Sequence, residues 1–219
     1  MKRRESPLRV VVTGAASGVG LACAAAFARH GAELILCDRD GSGLKKAGNR
    51  LGAFHRFCDL ISESSIDSFS AELGERFGGI DVLINAAGRA YVRSLGVLRM
   101  TRSLLPLLIE GDGQRLIVNI ASAGGFASSD CMFPYAGSRE AFERLSEALA
   151  EQTRGRPVSV ATVVPRLVRG GVQRTSPGPG QLYWLERIDE EGTAGDVLAL
   201  VESERPDWTA QPERRDRSA

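Results

Sequence analysis

Short apolar runs alternate with helix-compatible segments along this chain, and that alternation most constrains what it can fold into. Strand-like runs occupy Leu8–Gly14 (LRVVVTG), Ala32–Asp38 (AELILCD), Ala53–Leu60 (AFHRFCDL, the weakest), Ile80–Gly88 (IDVLINAAG), Gln114–Ser122 (QRLIVNIAS) and Pro157–Pro165 (PVSVATVVP). Between them lie an alanine-rich segment Gly20–Gly31, a polar segment Gly41–Leu51, and Ser62–Gly78, where Ile66, Phe69, Leu73 and Phe77 fall at helical spacing. Ser94–Gly111 and the stretch beginning at Phe133 complete the set, with a last helix expected over Thr193–Glu204. Strands that are apolar throughout, separated by helices, predict an α/β fold: a parallel sheet covered on both faces. The longest turn-rich stretch, Arg169–Gln181 (RGGVQRTSPGPGQ), follows the sixth strand. It is expected as a loop, part of a lid over Arg169 to Trp184, at the carboxyl edge where such sheets bind ligands.

A length of 219 residues suits one domain, expected over 1–205, with a polar tail over 206–219. Lys and Arg number 28 and Asp and Glu 27, a net charge of +1, so charge gives no argument for nucleic acid or an anionic membrane as partner. No apolar run reaches the roughly 18 residues of a membrane helix, and the basic start leads directly into a glycine-rich turn rather than a leader peptide. Cys23, Cys37, Cys58 and Cys131 lack CxxC spacing and read as thiols in a reducing compartment; a cytoplasmic location and no metal site are expected.

The turn TGAASGVG joins the first strand to the first helix. Gly14, Gly18 and Gly20 permit a tight bend and close backbone approach, and the helix start offers free N–H groups to a pyrophosphate. Asp38, ending the second strand, is placed to bond the ribose hydroxyls and to repel a 2′-phosphate, which favours NAD. Arg39 beside it is able to pair with that phosphate and keeps NADP as the alternative.

Taken together, TGAASGVG (13–20), CDL (58–60), NAAG (85–88), NIAS (119–122) and YAGSR (135–139) resemble, in order and spacing, the short-chain dehydrogenase/reductase family from about Leu8 to Pro165. The resemblance implies a single-domain, Rossmann-like, doubly wound parallel sheet and an NAD(P)-dependent oxidoreductase interconverting a carbonyl and a secondary alcohol on a small-molecule substrate. It implies a cofactor site of Gly14, Ser17, Gly18, Val19, Gly20, Asp38, Arg39, Asp59, Leu60, Asn85, Ala86, Ala87 and Gly88, with Tyr135 and Arg139 at its reacting end. It also implies a homo-oligomer. Ser122 and Tyr135 would hold the substrate oxygen, and Tyr135 would carry the proton. A phenol with a pKa of about 10 works as an acid–base group near neutral pH only when a neighbouring cation stabilises its phenolate. Arg139, one helical turn from Tyr135, would be that cation.

Four departures from the family pattern concentrate at the reacting end. Arg139 stands where the family has lysine, and it supplies charge without giving up a proton. Arg93 aligns with the family's catalytic asparagine, the Gly88–Ser94 connection is short, and Pro165-Arg166 and Gly170 replace the usual Pro-Gly and threonine. The adenosine half is intact. Two alternatives therefore stand beside the oxidoreductase: a non-redox enzyme (dehydratase, cyclase or isomerase) using Tyr135 as acid or base, and a non-catalytic dinucleotide-binding protein.

Overall fold

The computed structural model describes residues 7–87, 93–110, 113–120, 144–173 and 183–205. The expected strands form in order: β1 (Arg9–Thr13), β2 (Glu33–Asp38), β3 (Phe54–Phe57), β4 (Val82–Asn85), β5 (Arg115–Ile120) and β6 (Val158–Val163). They make one parallel sheet in the order β3-β2-β1-β4-β5-β6. The helices are α1 (Gly18–Arg29), α2 (Gly41–Leu51), α3 (Glu63–Phe77), α4 (Arg93–Ile109), α5 (residues 144–152) and α6 (Glu190–Glu204).

The period-two geometry of the strands sorts their side chains into two cores. Val10, Val12, Leu34, Leu36, Ile84 and Val118 face Phe27 of α1, Leu44 of α2 and Val197 of α6. Val11, Ile35, Leu83 and Ile117 face Phe69 and Leu73 of α3 and Met100 and Leu104 of α4. Each fully buried Val, Ile, Leu or Phe contributes about 1.5–3 kcal/mol, which explains why runs with almost no polar residue end as central strands. Local signals set the helix starts: Asp40 caps α2 by accepting from Gly43 N at 3.0 Å, and Ser62 caps α3 by accepting from Ser65 N at 3.3 Å.

The region after β6 differs from the expected loop. Arg166–Gln173 forms β7 and Tyr183–Asp189 forms β8, an antiparallel pair separate from the main sheet. The pairing register shifts between Arg169 and Val172, where Gly170 and Gly171 sit. The double glycine that reads as a loop in sequence is therefore a bulge within a strand. Tyr183 and Trp184 lie in β8, and the last helix starts at Glu190, three residues earlier than expected.

At the amino edge of the sheet, Asp81 is buried and carries three partners. Its carboxylate accepts from Arg9 N at 2.8 Å, pairs with Arg115 at 2.7 Å and faces Arg205 at 3.6 Å. Arg205 follows α6 and is fully buried, so this cluster ties the last helix to the strand ends.

Candidate active site

The carboxyl edge of the sheet is built around the glycine turn. Gly14 has a φ of +70°, and a β-carbon there would lie 2.7 Å from Ala87 Cα and 2.8 Å from Ala87 N. Gly20 is tighter still: a β-carbon would lie 2.2 Å from the Gly14 carbonyl oxygen. The turn after β1 is thus pressed against both α1 and the turn after β4, an approach that only glycine allows. Thr13 Oγ1 joins the same two turns by accepting from Ala87 N at 3.2 Å.

The start of α1 is open to an anion. Ser17 stands at its N-cap in an extended conformation, and its side chain makes no capping bond. The backbone ladder begins with Leu21 N donating to Ser17 O, so Gly18, Val19 and Gly20 present N–H groups without an intrahelical acceptor. No acidic residue lies in the first turn of α1.

Asp38 sits beside this turn and shapes it. Its Oδ2 accepts from Ala16 N at 3.0 Å and its Oδ1 from Asp40 N at 2.9 Å. Each carboxylate oxygen keeps a lone pair for another donor, such as a ribose hydroxyl. Arg39 is exposed next to it. Across the edge, Asp59 Oδ1 accepts from Ile61 N at 3.0 Å, and Asp59 N donates to Ser65 Oγ at 3.0 Å. Leu60 is clamped by α4, because a β-carbon on Gly96 would meet Leu60 Cβ at 2.9 Å. Phe57 and Ile61 flank this bend and are 54% and 52% exposed, leaving an apolar rim.

Beneath Asp38 and Asp59 lie the thiols of Cys37 and Cys58, both buried. A hydrogen bond between them, reinforced by burial, pushes the Cys37 thiol up. The same bond, helped by one from Ser65, pulls the Cys58 thiol down. The Cys37 thiol is therefore the donor of this hydrogen bond and the Cys58 sulfur its acceptor. Among the described residues no cluster of His, Cys, Asp or Glu is arranged to hold a metal, and no helix is long and apolar enough to cross a membrane.

Asn85 lies at the end of β4 with its side chain buried, reaching away from solvent. Its Nδ2 donates to Thr101 Oγ1 of α4 at 3.2 Å and to Asn119 Oδ1 of β5 at 2.9 Å. Asn119 Nδ2 donates to Ser146 Oγ of α5 at 2.9 Å. This polar chain links α4 and α5 to the sheet. Asn119 stands in the NIAS motif, which was the available signal; Thr101 and Ser146 carry none.

The structure thus brings together Gly14, Ser17, Gly18, Val19, Gly20, Asp38 and Arg39 at one end of the edge, with Asp59 and Leu60 alongside and Ala86 and Ala87 closing on Gly14. Gly88, Ser122, Tyr135 and Arg139 lie outside the described residues, as do Cys131 and the tail 206–219. Arg93 opens α4, and Arg166 and Gly170 lie in β7, with only their backbone described.

A family model for short chain dehydrogenases matches residues 9–177, well over half of the chain. The chain belongs to the short-chain dehydrogenase family. It is similar to dehydrogenase/reductase SDR family member 7B of Danio rerio, with 29% identity, covering 90% of this chain and 75% of that one. It spans 56% of the mouse protein of the same name. Among solved structures, a short-chain dehydrogenase from Streptomyces avermitilis superposes with a TM-score of 0.73 at 27% identity, covering 92% of this chain and 86% of that one. A 3-ketoacyl-(acyl-carrier-protein) reductase from Brucella melitensis, solved with NADH, superposes with a TM-score of 0.65 at 25% identity over 72% of this chain and 74% of that one. This short-chain dehydrogenase is accordingly of the oxidoreductase type.

Proposed function

We propose that this short-chain dehydrogenase interconverts a carbonyl and a secondary alcohol on a small or medium organic substrate, using NAD, with NADP as the alternative. The observation that carries the reading is the glycine turn: closed against Ala87 by Gly14, opened at α1 by the uncapped Ser17, and flanked by Asp38.

These residues fit the cofactor they would hold. The N–H groups of Gly18, Val19 and Gly20 receive the pyrophosphate. The Asp38 carboxylate, fixed by Ala16 N and Asp40 N, orients the adenosine ribose. Asp59 and Leu60, with the exposed rings and chains of Phe57 and Ile61 beside them, bound the adenine. Asn85, Ala86, Ala87 and Gly88 wall the cofactor side of the sheet edge. When bound, the nicotinamide supplies or accepts the hydride.

The chain's own chemistry is proton transfer. Ser122 donates a hydrogen bond to the substrate oxygen. The Tyr135 phenol gives its proton to that oxygen in reduction and takes it back in oxidation. Arg139 favours the phenolate in between, as a fixed charge. The homo-oligomeric state belongs to the same proposal and is read by light scattering.

Absorbance at the nicotinamide band, followed with NADH or NADPH against a panel of ketones and aldehydes, tests the reading. Tyr135→Phe is expected to cut turnover by about 100- to 10,000-fold while NADH affinity stays within a few-fold. Turnover of a substrate without nicotinamide, abolished by the same change, would establish the non-redox alternative instead.

A further inference from the structure

The first turn of α6 delivers an acidic side chain to the glycine turn. Asp189 caps α6 by accepting from Gly192 N at 2.9 Å, and Glu190 is the first helical residue. Glu190 is exposed, and its Oε1 lies 3.7 Å from where a β-carbon on Gly18 would stand; among the described residues, Gly18's chain neighbours and the backbone of its own helix aside, no other atom comes within 4 Å of that point. Gly18 is the residue that opens α1, and α1 has no acid of its own in that turn. Glu191, one residue on, leans elsewhere, toward Arg29 at 4.0 Å, and is 82% exposed.

We infer that Glu190 sets the affinity of this site for phosphate-bearing ligands: its carboxylate stands at the rim of the cradle and opposes the pyrophosphate that α1 attracts. The inference rests on the dinucleotide reading above and deepens it. The physical basis is a sign conflict. The positive end of α1 attracts any anion, so in the free protein it holds the Glu190 carboxylate favourably. A bound pyrophosphate brings two negative charges to the same place and meets that carboxylate as a like charge. The discrimination falls on the phosphates and not on the adenosine, which carries no charge. It also falls as salt rises, because an exposed pair is screened over about 8–10 Å at physiological ionic strength.

The test uses the full chain with Glu190→Gln, Glu190→Lys and Glu191→Gln, and measures dissociation constants for NADH and for adenosine. One unit charge about 6 Å from each phosphate in a water-like medium changes affinity by roughly three-fold per phosphate charge. Glu190→Gln is therefore expected to tighten NADH by about three- to ten-fold, with Glu190→Lys going further. Adenosine binding should not change, and the NADH gain should shrink at high salt. Glu191→Gln removes the same charge from the same helix turn and should leave NADH affinity within two-fold. Equal NADH constants for wild type and Glu190→Gln, or an equal gain from Glu191→Gln or for adenosine, would overturn the inference while leaving the dinucleotide reading in place. Failure of wild type and both Glu190 variants, folded by circular dichroism, to bind NADH would overturn the dinucleotide reading and the inference with it.

Discussion

The space around Gly20 leaves no room for a methyl group. Gly20→Ala would drive a β-carbon into the Gly14 carbonyl at 2.2 Å, and the contacting atom is backbone that cannot rotate away. The expected outcome is a turn displaced from Ala87 and NADH affinity lowered at least about ten-fold, read by fluorescence titration, since such a shift misplaces several donors at once. Asp38→Asn has a narrower effect. It removes the charge from the group that holds Ala16 N and Asp40 N, and with it the repulsion of a 2′-phosphate. NADH should weaken more than NADPH, so that the ratio of the two dissociation constants moves toward NADPH; a ratio that stays put would show that Asp38 does not select between them.

Among the elements, the sheet was the most legible part. Runs such as VVV in β1 and LIL in β2 are apolar on both faces because both faces are covered, and no polar residue interrupts them. The glycine turn was legible because close backbone approach leaves glycine as its residue. The β7/β8 ribbon was not, because Gly170 and Gly171 sit at a bulge between the paired Arg169 and Val172, a pattern that mimics a loop. The chain Thr101–Asn85–Asn119–Ser146 was hidden for a different reason: its members come from four elements whose adjacency exists only after folding. Glu190 was hidden likewise, since nothing in a helix-start glutamate says which neighbouring helix it will face. The polar chain makes a prediction at this scale. Asn119→Ala leaves Asn85 Nδ2 short of one acceptor and Ser146 without the Asn119 donor in a buried setting, and should cost about 1–3 kcal/mol, read as a lowered denaturant midpoint.

For the molecule as a whole, charge and proton balance in the interior set how stability responds to conditions. Burial pushes the Cys23 thiol from its ordinary 9.0 up to about 12. The folded chain then holds a proton that the unfolded chain releases, so this contribution is complete below pH 9 and is lost as pH rises toward 12. Unfolding free energies of wild type and Cys23→Ala should therefore converge across that window, by up to about 1.4 kcal/mol per pH unit; parallel curves would count against a buried, protonated thiol. At the opposite edge of the sheet, Asp81→Asn would leave the Arg115 and Arg205 guanidiniums buried without their shared carboxylate. A loss of about 3–5 kcal/mol is expected, the cost of breaking a buried ion pair. The same cluster joins distant parts of the chain. Arg9 and Arg115 lie in β1 and β5 and Asp81 just before β4, whereas Arg205 follows all six strands of the sheet. Because Asp81 and Arg205 lie 124 positions apart, their contact is one of the long-range pairings expected to form after the more local strand pairings.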